Sequence, residues 1–160
     1  MASAFPRERI TPITVVPTGL TTSVTAYTSG DVVGAQMQFK LGDGAGPAYG
    51  EIENVVIIDK ANVLGAVELW LFSAAVTPAA DNAAVSFSDA DLASLVQIFP
   101  VANVYAQANG KVIIMDPAED RPVQTGAGGI LYGSLVTRTG NSFFSAQGDV
   151  IVTMHYEPTY

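Results

Sequence analysis

The stretch "IIDKANVLGAVELWLF", residues 57–72, decides whether this chain is built from helices or from strands. Its second half alternates, with one side formed by Val67, Leu69 and Leu71 and the other by Glu68, Trp70 and Phe72. Gly65 interrupts the stretch, and β-branched and aromatic residues are enriched on both sides of it, which favours two strands joined by a turn. One helix across residues 60–70 is the alternative, because periodicity alone does not settle short apolar runs.

The neighbouring segments read as strands as well. In "DVVGAQMQFKL" (31–41), apolar positions from Val33 to Leu41 alternate with polar or small ones, which predicts a half-buried strand whose inner side includes Ala35. Asn109-Gly110 predicts a type I′ turn, because that turn needs two residues with positive φ. The other predicted strand segments are 11–16, 21–29, 51–59, 66–75, 96–101, 103–115 (a hairpin), 130–138 and 148–156.

Only one segment favours a helix. In "SDADLASL" (88–95), the Ser88 side chain is placed to accept a hydrogen bond from the first free amides of a helix. The Asp91 side chain at the N3 position is placed to accept from the backbone N–H of Ser88 in return. Nine or ten short strands with one minor helix predict an all-β chain, folded as an antiparallel β-sandwich or a barrel. We expect an N-terminal arm over residues 1–16 and a single β-sandwich domain over residues 17–160.

Composition excludes several classes of function. The chain has 160 residues and a net charge of −8, so we expect neither nucleic acid nor an anionic membrane as a partner. Charged residues make up 14% of the chain, and this low share suggests that a partner covers part of the surface. The first ten residues contain no apolar core of a signal peptide, and no apolar run predicts a transmembrane helix.

The titratable residues predict no catalytic site, no metal site and no cofactor. His155 is the only histidine, there is no cysteine, and one imidazole does not make a metal site or a convincing triad. The acidic loop with Asp116, Glu119 and Asp120 does not have EF-hand spacing, and we interpret it as a solvated turn. The glycine-rich stretch 42–46 lacks the lysine of a P-loop, and we interpret it as a loop tip.

Two alternatives stay open at this point. Glu51, Glu53 and Glu68 are candidates for a glycoside-cleaving carboxylate pair, since the separation of such a pair exists only in three dimensions. Trp70 and Phe72 beside Glu68 would suit a sugar-stacking platform, although such aromatics more often fill a core or an interface.

Several motifs, taken in order, resemble a family of small virion proteins of tailed bacteriophages, the capsid decoration (cement) proteins. These motifs are "AYTSGDVVGAQMQF" (26–39), "IENVVIIDKANVLGAVELWLFSAA" (52–75), "DNAAVSFSDADLASLVQIFPV" (81–101), "LYGSLVTR" (131–138) and "DVIVTMHY" (149–156). In that family a "GD-x-(V/I)-G" entry, an "(E/D)LxLF" strand and an "SDADLA" turn recur in this order.

The resemblance implies a jelly-roll β-sandwich without enzymatic activity. It implies a homotrimer on the outer surface of the capsid, in contact with the major capsid protein. A phage tail or receptor-binding component, and a carbohydrate-binding β-sandwich module, are the alternatives. The candidate partner-contact residues are Phe5, Arg7, Arg9, Ile10, Trp70 and Phe72.

Overall fold

The computed structural model describes residues 13–15, 22, 25–100, 103–117, 122–140, 144 and 148–159. Nearly all of its regular structure is β. The strands are β1 (Ile13–Val15), β2 (Val32–Lys40), β3 (Tyr49–Asp59), β4 (Val67–Phe72), β5 (Leu95–Phe99), β6 (Asn103–Gln107), β7 (Gly110–Met115), β8 (Pro122–Gln124), β9 (Ile130–Thr137) and β10 (Val150–Pro158). A four-residue helix, α1 (Asp89–Leu92), and one 3-10 turn (Ala127–Gly129) complete the list.

The strands form two antiparallel sheets packed face to face. The larger sheet has the order β1-β10-β3-β7-β6, with β8 also paired to β3, and the smaller sheet has the order β2-β9-β4-β5. The first four strands alternate between the two sheets, and the last strand, β10, returns to pair with the first, β1. The arrangement of β1-β10-β3-β7 opposite β2-β9-β4-β5 is that of a jelly roll. The predicted all-β sandwich with one short helix is therefore confirmed.

Residues 57–72 contain two strands and no helix, as the alternation predicts. The turn between them is held by Asp59, whose fully buried carboxylate accepts hydrogen bonds from the backbone N–H groups of Ala61, Val63 and Leu64 at 3.0, 2.7 and 2.6 Å. Three amide donors compensate a buried carboxylate well. Leu64 is thereby fixed in the core.

The inner faces of the two sheets supply the core. β4 contributes Val67, Leu69 and Leu71, which are all fully buried and lie on one side of the strand, as the alternation predicts. β10 contributes alternate residues in the same way, with Val152 and Met154 inside. Alternating inward residues from both sheets are what holds a sandwich together.

In β2 the predicted alternation is wrong at one point. The pairing with β9 shifts register between Val33 and Met37, and Gly34 within this bulge has a φ of +77°. The extra residues turn Ala35 outward, so it is exposed although the simple alternation places it inside. A bulge changes the face on which the following residues lie, and a two-residue period cannot anticipate it.

The hairpin of β6 and β7 is confirmed, but the predicted turn is wrong. Gln107 pairs with Gly110, so the two central turn residues are Ala108 and Asn109. Among the described residues the non-glycine residues with positive φ are Asn62 and Asn82, so Asn109 does not adopt the type I′ conformation. Gly110 has a φ of +148°, and a Cβ there would lie 2.8 Å from the carbonyl oxygen of Asp59. The glycine is needed where β7 passes the end of β3.

The segment 21–29 is also not a strand where it is described. Residues 25–31 form a bend, an isolated bridge at Tyr27 and a turn, in which the Asp31 carboxylate accepts from the N–H and the hydroxyl of Thr28.

The predicted helix start, by contrast, is confirmed. Ser88 and Asp91 form a capping box at α1, and the hydrogen bond from the Ser88 hydroxyl lowers the pKa of Asp91.

Candidate interaction surfaces

The outer face of the larger sheet carries an apolar surface in register across four strands. One row runs Ile151–Ile58–Val112–Tyr105, through β10, β3, β7 and β6. The next row runs Thr153–Val56–Ile114, through β10, β3 and β7. We call six of these side chains the apolar outer patch: Val56, Ile58, Tyr105, Val112, Ile114 and Ile151.

The apolar outer patch is accessible in the single chain. Ile58 is 39% exposed and Tyr105 is 53% exposed, while the other four members are half-buried by their neighbours. An antiparallel sheet with one wet face normally alternates apolar and polar residues, whereas strands covered on both faces read as continuous apolar runs. The second half of β3 and most of β7 therefore have the sequence of strands covered on both sides, whereas β10 contributes only Ile151 to this outer surface.

The other half of the same outer face is acidic. Glu51 of β3 stands directly opposite Glu157 of β10, and the exposed Glu53 lies close by on β3. Like charges placed opposite each other across two strands destabilise the pairing slightly and keep that end hydrated. The outer face of the larger sheet is thus divided into a hydrated acidic end and an apolar end.

Strand β6 forms one edge of the larger sheet, and it is poorly protected. Its five residues, NVYAQ, contain no charged residue and no proline, and β7 is its only strand partner in the described part of the chain. Val104 and Tyr105 are 46% and 53% exposed, on opposite sides of the strand. Soluble proteins usually protect an edge with charges, proline or a bulge, so this edge is open to pairing with another strand.

The outer face of the smaller sheet is covered in part by the chain itself, over β2 and β4, while Ile98 on β5 stays exposed. The loop of residues 73–88 packs on it through Phe87, whose ring centroid lies 4.9 Å from that of Phe72 and 5.4 Å from that of Trp70. Val76 of this loop is 7% exposed, and its carbonyl accepts from the Gln36 side chain of β2 at 2.9 Å.

A carboxylate anchors the same loop to β2. One Asp81 oxygen accepts from the Tyr27 hydroxyl and from the Gly34 backbone N–H, both at 2.7 Å. The Gly34 contact places this anchor at the bulge that interrupts β2. The bulge therefore supplies a free amide to the loop, which explains why the irregularity and the loop occur together.

At the border of this covered face, Glu68 connects Trp70 and Arg138. One Glu68 oxygen accepts from the indole N–H at 2.9 Å and from the guanidinium at 2.6 Å. The hydrogen bond from Arg138 is the main reason why the pKa of Glu68 is lowered, with a smaller contribution from Trp70 that opposes the effect of burial. The carboxylate is thus used to orient Trp70, and it is not held in the protonated form that a general acid requires.

The structure places the predicted contact residues in different settings. Phe72 is fully buried under Phe87 and has no surface for a partner, because the loop of residues 73–88 covers the outer face of β4. Trp70 stays partly exposed, next to Ile98 of β5. Phe5, Arg7, Arg9 and Ile10 lie outside the described residues, so their contacts and the extent of the arm stay predictions. Residues 13–15 pair with β10 as an edge strand.

The sandwich separates one of the three candidate carboxylates from the other two. Glu51 and Glu53 lie on the outer face of the larger sheet and Glu68 on the outer face of the smaller one, so Glu68 cannot flank the same bond as either of them. His155 lies on the outer side of β10, on the face opposite to Val152 and Met154. Within the described ranges no group of three or more His, Cys, Asp or Glu is placed to hold a metal ion.

An open groove of about 510 Å³ lies at one end of the sandwich. The glycine-rich loop forms one wall with Asp43 and Pro47, and Pro158 contributes to the lining. Tyr49 is 51% exposed, and its hydroxyl accepts from Gln124 at 3.0 Å. The groove thus offers one aromatic ring and one carboxylate to a ligand.

Comparisons with known proteins identify no relative. No family model matches this chain, and neither a curated protein nor a solved structure matches it. In the part of the chain that the structure describes, no helix has the length and apolar character needed to cross a membrane.

The sequence contains signals for the apolar outer patch, although none of its six members is among the contact residues predicted from the sequence. The runs "NVVII" (54–58), "KVII" (111–114) and "DVIV" (149–152) are apolar at outward as well as inward positions. The covering role of Phe87 and Asp81 has no such signal, because it depends on contacts with residues 15 to 54 positions away.

Proposed function

We propose that this chain is a structural virion protein that binds the outside of a bacteriophage capsid and stabilises it, as a decoration or cement protein. The observation that carries the proposal is the apolar outer patch, which lies on a jelly-roll sandwich beside the bare edge of β6. A contiguous apolar patch on the outside of a folded domain is often a functional surface, and its position across paired strands suits assembly. The order of motifs that resembles the phage decoration family supports the same role.

The physical requirements of a capsid-stabilising protein agree with these features. Such a protein binds a preformed shell through many copies, so modest contacts add up by multivalency. In this proposal the chain assembles as a homotrimer, and its partner is the major capsid protein. A charge-poor sandwich suits this task, because contacts that exclude charge lose little affinity when the salt concentration changes.

Purified virions from the phage that encodes this chain provide the test. We expect mass spectrometry to detect the chain in many copies per particle, and electron cryomicroscopy to place a sandwich-shaped density on the outside of the shell. Particles that lack the chain should release their DNA at a lower temperature. Absence of the chain from intact virions would refute the proposal, and density at the tail would favour the tail-component alternative.

The groove beside Tyr49 favours one second candidate, a carbohydrate-binding module. An exposed tyrosine ring next to a carboxylate is a suitable surface for stacking and hydrogen-bonding a sugar. This candidate predicts glycan binding that Tyr49→Ala abolishes and that Ile58→Asp leaves intact. A glycan array without any signal would exclude it.

A further inference from the structure

We infer that the apolar outer patch forms the interface through which this chain binds a second copy of itself, with the outer faces of the two larger sheets packed against each other. The inference builds on the assembly role proposed above, and its test needs no capsid. It assigns the interface to one part of one sheet, in preference to the smaller sheet and to the acidic end of the larger sheet.

Charge distribution favours a second copy as the occupant. Each copy carries a net charge of −8, so two copies repel each other unless they meet through surfaces that lack acidic groups. The two rows of the patch contain no charged residue, whereas Glu51, Glu53 and Glu157 occupy the other end of the same face. A strongly basic partner would find its best complement at the acidic end, and the apolar end suits an uncharged surface such as its own copy.

The size of the patch fits the centre of a protein interface. The first row crosses four strands at a spacing of about 4.8 Å, and the second row, about 7 Å away, adds Val56 and Ile114, so the footprint of the patch is on the order of 300 Å² once the width of the side chains is included. A standard interface covers about 800 Å² on each partner, with an apolar centre and a polar rim. Lys60, which is exposed just beyond Ile58 on the chain, lies where such a rim would begin.

Tyr105 extends the apolar contact to the margin of the sheet. Its ring closes the first row of the patch, and its backbone belongs to the edge strand β6. A second copy that packs on the outer face therefore contacts this ring as well as Ile58. Backbone pairing along β6 would instead place the second sheet beside the first and leave the outer face open, so the inference rests on the apolar outer patch and not on the edge.

Sedimentation velocity over a range of concentrations tests the inference with a matched pair of variants. Ile58 and Ile98 are 39% and 37% exposed, but Ile58 lies in the patch and Ile98 lies on β5 of the other sheet. We expect Ile58→Asp to raise the dissociation constant of the oligomer by about a hundredfold, since a buried, unpaired carboxylate is costly at an interface. We expect Ile98→Asp to leave the oligomer unchanged.

A second variant protects the test against misfolding. Tyr105→Asp changes a more exposed position on the edge strand and should dissociate the oligomer to a similar degree. Circular dichroism and the fluorescence of Trp70, the single tryptophan, show whether each variant is folded. If folded Ile58→Asp and Tyr105→Asp proteins remain associated, or if Ile98→Asp dissociates equally, the inference is refuted.

The outcomes also separate this inference from the proposed function. A wild-type protein that stays monomeric up to about 100 µM would refute the inference, even if it bound capsids. If that monomer lost capsid binding on Ile58→Asp, the patch would face the shell and the proposed function would stand. An oligomer that depends on the patch but is absent from virions would support the inference and refute the virion role.

Discussion

The outer faces of the two sheets differ in what covers them. On the smaller sheet, the loop of residues 73–88 lies over β4 and buries Phe72 beneath Phe87. On the larger sheet, the apolar outer patch has a similar apolar character, and Ile58 and Tyr105 remain exposed. The chain thus covers the outer face of β4 at Phe72 with its own loop and leaves the apolar outer patch of the larger sheet uncovered.

This difference shows that a sheet's own sequence does not tell whether its apolar face is core or interface. Phe72 and Ile58 both occupy outward positions on their strands, and burial separates them only because a distant segment returns over one of them. The free energy gained by covering such a face is the same in kind for a loop and for a second copy. Binding of a second copy, however, also costs translational and rotational entropy, which a loop of the same chain does not lose.

The largest expected effect comes from removing the covered aromatic ring. Phe72→Ala should lower the free energy of unfolding by about 3–5 kcal/mol, because it leaves a cavity beneath Phe87. Ile58→Ala on the uncovered face should cost about 1 kcal/mol or less when the protein is measured as a monomer. Urea unfolding followed by Trp70 fluorescence provides both values. Equal losses for the two variants would mean that the two faces do not differ in cover.

A smaller effect is expected when the loop is detached from β2. Asp81→Ala removes the acceptor for the Tyr27 hydroxyl and the Gly34 amide, and it should cost about 2 kcal/mol. Asp81→Asn keeps an acceptor oxygen and should cost less than half as much. Residues 61–110 contain no lysine or arginine, so chymotrypsin is the suitable protease, and it should cut after Phe87 faster in Asp81→Ala than in Asp81→Asn. Equal cleavage rates in all three proteins would contradict the anchoring role of Asp81.

The smallest effect concerns the border of the covered face and depends on pH. The pKa of Glu68 lies below its ordinary value of 4.5 in the folded chain, so its contribution is fully present above that pH and is lost as the pH falls through the folded pKa. Because Arg138 is 37% exposed, this contribution is only about 0.5 kcal/mol. Glu68→Gln should therefore lower the melting temperature slightly at pH 7 and have almost no effect at pH 3. A loss that is larger at pH 3 than at pH 7 would show that the sign is wrong.

Much of the architecture could be predicted from local patterns. The alternation in β4 assigned Val67, Leu69 and Leu71 to one face, which is the inner one, and the Ser88–Asp91 pair identified the start of α1. These predictions succeed because side-chain direction in a strand and capping at a helix start depend on residues a few positions apart. The same reasoning failed at Ala35 and at Asn109, where pairing with another strand determines the backbone.

The candidate surfaces were less predictable, for a physical reason. The sequence predicts Trp70 and Phe72 as contact residues because they are large aromatics on one strand. Phe87, which covers Phe72, lies fifteen positions further along the chain. The six members of the apolar outer patch come from four strands, and their shared rows exist only once β10, β3, β7 and β6 have paired. Local alternation establishes which residues can face the interior of a sandwich. Long-range pairing and the path of the loops establish which of the outward residues are covered, because cover is a contact between segments that are distant in the chain.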